Sequence, residues 1–178
     1  VSSNADSGAD TLRDIVENTG ANGDTINFSS SMNITVSGTT IASGTNGYTF
    51  DVQSGQTIRI TGGSNRILRL TGDSSLNTTG NGQLIFENAN LNLSFNLGGS
   101  YQGGGLSITG TVDRIDQGVS IINNSLRTQA LNNGVITAGG GGMYVSSNIN
   151  TIAGNISGNL VEAVKPSGTS GGGVNVNG

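Results

Sequence analysis

The sequence predicts an all-β fold, a right-handed parallel β-helix with a short N-terminal capping helix, and three observations carry that expectation. The first is internal repetition at a spacing that signals a solenoid or another stacked array. GGGLSITGTVDRIDQGVSIINN, from Gly103, lies over GGGMYVSSNINTIAGNISGN, from Gly140. Leu106 then meets Met143, Ile108 meets Val145, Val112 meets Ile149, Ile115 meets Ile152 and Val119 meets Ile156. A two-residue deletion after that point brings Asn124 over Asn159, and a third copy, GGGVNVNG, places Val174 on Met143. The second observation is period. Each copy runs apolar-x-apolar after its glycines (Leu106/Ile108, Met143/Val145, Val174/Val176), which is strand alternation. A helical repeat needs apolar residues at i, i+3, i+4 and i+7, and the glycine and β-branched content opposes that. The third is composition: 31 Gly, one Pro and only 10% charged residues, with 33% hydrophobic residues in regular alternation. In a parallel stack each side chain sits about 4.8 Å above its counterpart. Like charges in such a column repel, whereas Asn, Ser and Thr hydrogen-bond along it and aliphatic groups pack.

The leading residues, VSSNADSGAD, are polar and aperiodic. TLRDIVENTG follows, with Thr11 and Asp14 spaced as a capping box and Leu12, Ile15 and Val16 on one face. A stacked array needs a cover for its first layer, so this helix is the predicted cap, ending at Gly20 or Gly23. Residues 1–22 are thus a leading segment and cap, and residues 23–178 the β-helix, continuing or docking beyond 178. GDTINF at Gly23 and GQTIRI at Gly55 align Ile26 with Ile58 and Phe28 with Ile60. GQLIFE at Gly82 resembles them, but its alternation falls one residue early, on Leu84 and Phe86, a slip that reverses the inward face unless a bulge absorbs it. Further short strands are predicted at 34–36, 48–52 and 67–70, between SGT, SGTNG and TGGSN turns, and LNLSFNL alternates through Leu91, Leu93, Phe95 and Leu97. The two long units each contain three strands, 106–108, 112–115 and 119–122, then 143–145, 149–152 and 156–157. Three strands per turn is the cross-section of a parallel β-helix, and right-handedness follows from the rule for parallel crossovers. Asn124 and Asn159 are expected at left-handed corners. After them, 126–139 and 160–170 are expected to leave as loops, side by side along one edge.

This pattern resembles the passenger β-helix of polymorphic outer-membrane proteins and related autotransporter adhesins. The likeness lies in TLRDIVENTGANGDTINF, the strand pairs after it, and the GGG-apolar-x-apolar units ending in apolar-Ser-x-Asn. GGGM at Gly140 and IINN at Ile121 approximate the short tetrapeptides of that family. The resemblance implies a secreted or bacterial cell-surface adhesin or stalk, non-catalytic, whose partner is a host or neighbouring-cell surface protein or glycan.

Composition narrows the function further. Without cysteine there are no disulfides and no thiolate metal sites; without histidine the usual zinc ligand and general base are missing. A net charge of −4 gives no footprint for nucleic acid, and no apolar run approaches the ~20 residues of a membrane helix. No secretory signal is present, which fits a processed chain or a fragment. No cofactor, catalytic residue or metal site is expected. The densest polar cluster, Asp113, Arg114 and Asp116, faces solvent and aligns with Asn150, Thr151 and Ala153, so carboxylates do not stack. Arg59, Arg66 and Arg69 could hold an anionic glycan, or pair with Asp51 or Asp73 on a solvated face. Candidate partner-binding residues on the loop edge are Arg127, Gln129 and Lys165. A second class of function is self-assembly: Val174 and Val176 form a candidate assembly edge, through which further copies of the chain dock as fibre subunits. A polysaccharide-active enzyme is the third and weakest reading.

Overall fold

The computed structural model describes residues 1–95, 99–130, 136–164, 166–170 and 172–176. Thr11 caps α1 (Leu12–Asp14), its hydroxyl accepting from the Asp14 amide at 3.1 Å. The helix then widens into a single π-turn, Ile15–Thr19, which the Gly20 amide closes on the Ile15 carbonyl at 2.8 Å. Leu12 and Val16 are buried in the same apolar cluster as the first strands, and the Tyr48 hydroxyl lies 3.2 Å from the carbonyls of Val16 and Gly20. The predicted cap therefore joins the core.

Thereafter the regular elements among the described residues are all strands, and the chain visits three parallel sheets in rotation. β1 (Thr25–Asn27), β2 (Met32–Thr35) and β3 (Ile41–Ala42) make the first circuit, and β4 (Thr49–Val52), β5 (Thr57–Gly63) and β6 (Leu68–Leu70) the second. The third runs through β7 (Ser74–Thr78), β8 (Gln83–Phe95), β9 (Gly99–Gln102) and β10 (Leu106–Ile108). β11 (Val112–Ile115), β12 (Val119–Ile122), β13 (Ser125–Ala130), β14 (Ile136–Gly139) and β15 (Met143–Val145) form the fourth. The fifth contains β16 (Ile149–Ile152), β17 (Asn155–Ser157), β18 (Leu160–Val164), β19 (Pro166–Ser170) and β20 (Val174–Val176). The first sheet is ordered β1-β4-β7-β11-β16, the second β2-β5-β8-β12-β17 and the third β3-β6-β10-β15-β20. The three strands predicted in each long unit all form, within a residue of their expected bounds.

Register makes the core a set of columns. Ile26, Phe50, Leu76 and Ile115 stack in the first sheet, Ile34, Ile60, Phe86 and Ile121 in the second, and Ile41, Leu68, Leu106 and Met143 in the third. All twelve are buried, and each fully buried side chain of this size contributes about 1.5–3 kcal/mol. Leu106 on Met143 and Val174 on Met143 pair as the repeats predict. Two predicted alignments are corrected. Ile26 pairs with Phe50, not Ile58, because GDTINF lies in the first sheet and GQTIRI in the second; Ile58 pairs instead with Met32. Ile156 pairs with Ile121, not Val119, so the deletion falls in the turn before β17. A two-residue shift keeps the inward face, so alternation cannot detect it. The slip feared at Leu84 and Phe86 is absent: they stack on Ile58 and Ile60 and are fully buried.

One polar hub ties the leading segment to the cap. The Arg13 guanidinium bonds Asp6 at 2.9 Å, Glu17 at 2.9 Å and the Thr39 carbonyl at 2.7 Å, while Asp6 also accepts from Ser37 and Gly38 amides. Burial pushes the Asp6 carboxyl up, but Arg13 and the Ser37 bonds outweigh it and leave it below its ordinary 3.8. A depressed carboxylate stabilises the fold above its unfolded pKa. That contribution should be complete above pH 3.8 and disappear as pH falls from there through the folded value. Acid titration of stability should show a steeper loss in that window for the wild type than for Asp6→Asn; parallel curves would remove Asp6 from this role.

Candidate binding surface

The interval between stacked residues lengthens midway: Ile58 to Leu84 is one circuit, as is Leu84 to Val119. The added residues build a lateral extension. β8 runs on past the second sheet, and its second half pairs with β13, which pairs in turn with β18. β14 lies between β9 and β19 in a further parallel sheet. Leu126 and Ala138 are fully buried between the two, against Leu91, Leu93, Tyr101, Val161 and Ala163. Where described, the expected loops 126–139 and 160–170 are thus largely strands, because alternate side chains find a small second core, β13 and β14 pair on both sides, and β18 and β19 pair with them on one. Loops of this kind are dispensable, but a stacked layer is not. Deleting residues 126–139 alone should remove the strand between β8 and β18 and expose Leu91, Leu93 and Val161. Its thermal midpoint should fall by several degrees, on the order of 1–2 kcal/mol or more; an unchanged midpoint would return the segment to loop status.

The extension leaves the second sheet at a repeated corner. Asn88 (φ 56°), Asn123 (φ 55°) and Gly158 (φ 65°) take the left-handed conformation there. The expectation that Asn124 and Asn159 do so is corrected by one residue: their side chains form a ladder instead. The fully buried Asn124 amide accepts from the Ala89 N–H at 3.0 Å and donates to the Phe86 carbonyl at 3.2 Å. Asn159 repeats both bonds one circuit on, accepting from the Asn124 N–H at 2.9 Å and donating to the Ile121 carbonyl at 2.8 Å. The GGG runs return the chain to the third sheet beside this ladder. Gly103 and Gly140 supply positive φ (71° and 68°), and a Cβ on Gly105 would lie 2.8 Å from Asn124 Cγ and 2.7 Å from the Gly142 carbonyl. The glycines close a corner whose space is filled by backbone and the asparagine side chains.

On the outer face of the extension the polar side chains stack in rows. Arg127 is in register with Asn92 and Glu162, and Gln129 with Ser94. Arg127 Nε lies 3.2 Å from Glu162 Oε2, with both side chains about half exposed (52% and 54%). These groups line an open cleft of about 230 Å³. Two of the three predicted residues, Arg127 and Gln129, meet there; Lys165 lies outside the described residues. Asn92, Ser94 and Glu162 were not predicted. Their signal was available: the Asn124-to-Asn159 offset, extended through LNLSF, SLRTQA and LVEAV, aligns all five.

Several other charged groups are engaged elsewhere. Arg59 pairs with Glu87, and Arg66 turns inward to donate to the Gly103 and Gln102 carbonyls, the first at 2.6 Å. Burial, with the neighbouring Arg69 charge, pushes the Arg66 guanidinium down to about 10. Arg59 lies on the second sheet and Arg69 on the third, so the three arginines do not form one surface. Asp51 and Asp73, their expected partners, accept instead from Gln53 and from the Thr111 amide, each at 2.7 Å. Asp113 accepts from Asn150 at 3.1 Å, and Asp116 from the Thr78 amide at 3.1 Å, with Arg114 at 3.6 Å. Among the described residues no three acidic groups converge as a metal site would require, and no helix is long and apolar enough to cross a membrane. β20 pairs with β15 and ends the third sheet, leaving Val174 partly buried and Val176 45% exposed. Comparison of the chain with protein-family models, curated proteins and solved structures finds no match.

Proposed function

We propose that the five circuits form a right-handed parallel β-helix that serves as a secreted or surface-displayed, non-catalytic adhesin passenger of the autotransporter type, binding through its lateral extension. The observation that supports this reading is the row of outward polar side chains, Asn92, Arg127 and Glu162 beside Ser94 and Gln129, held on stacked strands with their own core. Stacked strands hold such groups in fixed positions, and side chains on the outer face can vary without disturbing the packing beneath. The partner is a cell-surface protein or glycan. The test is adhesion of beads coated with the chain to cultured epithelial cells, beside beads carrying Arg127→Ala, Gln129→Ala and Glu162→Ala together. Loss of adhesion with an unchanged circular dichroism spectrum is the expected result. Undiminished adhesion would move the binding surface elsewhere.

A second reading, self-assembly, has its own observation. Ile152 (51%), Leu160 (42%) and Val176 (45%) are the exposed large hydrophobic residues among those described, and all belong to the fifth circuit. Ile152 and Val176 stack on Ile115 and Val145, which are fully buried. An open strand edge beside apolar side chains is a template for another chain. Light scattering across concentration separates the readings: growth suppressed by Val176→Lys supports assembly, and a constant monomer mass rejects it.

A further inference from the structure

We infer that the cleft on the lateral extension takes a neutral, hydroxyl-rich saccharide, an inference that rests on the reading of the extension as the binding surface. The chemistry of the cleft selects this class. Arg127 only donates, ionised Glu162 only accepts, and the Asn92 and Gln129 amides and the Ser94 hydroxyl do both. A ligand matched to that mixture must itself donate and accept at closely spaced points, as vicinal hydroxyls do. The charges of Arg127 and Glu162 cancel at 3.2 Å, so the site has no preference for sulfated or carboxylated chains. Their ion pair is half exposed and hence weak, so hydroxyls can displace it at small cost.

Peptide ligands fit less well. The main chain of β13, which carries Arg127 and Gln129, is already paired on both sides, so no strand can be added at the middle of the cleft wall. Protein partners anchor aromatic residues in fully desolvated pockets, whereas this cleft is open to solvent and without an aromatic lining residue. The rows also repeat every ~4.8 Å along the stack, comparable to the length of one pyranose unit. A linear oligosaccharide running across the strands meets one polar side chain per layer, Asn92, Arg127 and Glu162 in turn.

The experiment is titration of the 178-residue chain with maltohexaose, cellohexaose and mannohexaose, and with a heparin-derived hexasaccharide as the anionic comparison, followed by amide chemical shifts. Binding of at least one neutral oligosaccharide with Kd of roughly 0.1–5 mM is expected. It should be insensitive to salt between about 0.05 and 0.5 M, because no net charge is neutralised. Arg127→Ala and Glu162→Gln, both at exposed positions, should each weaken it about tenfold without altering the fold. Absence of neutral saccharide binding, or binding of the heparin fragment alone with loss at high salt, overturns the inference. If cell adhesion still depends on the extension in that case, the adhesin reading stands and only the ligand class is wrong. Saccharide binding that is unchanged in the triple alanine variant overturns both.

Discussion

Phe86→Ala should lower the unfolding free energy by about 3–5 kcal/mol, the range for removing a large aromatic from a well-packed interior. Phe86 is fully buried at the middle of the second sheet's column, between Ile60 and Ile121. Its ring also meets Phe50 edge-on at 6.2 Å with an interplanar angle of 77°, a geometry worth about 0.5–1.5 kcal/mol beyond area. The pair bridges two sheets, so its loss loosens the contact between faces as well as the stack within one. Urea unfolding should show a lower midpoint at unchanged slope. A shift below about 1 kcal/mol would mean that the interior closes around the gap, unlike a close-packed column.

Asn124→Leu should cost about 2–4 kcal/mol although leucine has the same number and branching of side-chain heavy atoms as asparagine. The substitution leaves the Ala89 N–H without its acceptor at a buried corner and deprives the Phe86 carbonyl of a donor. Unsatisfied buried amides of this kind cost about 1–3 kcal/mol each. Asn124→Asp sharpens the test, because a carboxylate still accepts from Ala89 but cannot donate to Phe86. It should be intermediate near the pH where the acid is neutral and worse when ionised. Equal tolerance of leucine and aspartate would show that the ladder contributes nothing.

The strands of the main sheets were legible because two local signals agree there. Apolar alternation fixes the inward face, and glycine-rich punctuation fixes the ends, so 106–108, 112–115 and 143–145 could be read directly. Alternation does not fix register, which is why Ile156 could be set over Val119 when it stacks on Ile121. The extension was harder to read. LRTQA has too little apolar character to pass for a strand alone, and becomes one only because Leu126 and Thr128 are covered by neighbouring circuits. Arg127 and Gln129 are expected on a partner-binding loop, and the structure gives them register neighbours that sequence can supply only once the circuits are aligned. The Asn123–Asn124 pair was ambiguous for a related reason: either asparagine suits a left-handed corner, and the buried amide ladder at the second appears only with Phe86 and Ala89 in place.

The central claim, that the surface beyond the Asn124 corner is a stack of paired strands and not a set of loops, is tested most directly by native-state hydrogen exchange over residues 125–130. Residues 125–129 of this strand pair on both sides, with β8 and with β18, and Ala130 pairs with β8. Their protection should approach that of 119–122 in the main second sheet. Exchange at the rate of an exposed loop, with 119–122 still protected, would contradict the account and leave the binding surface without its scaffold.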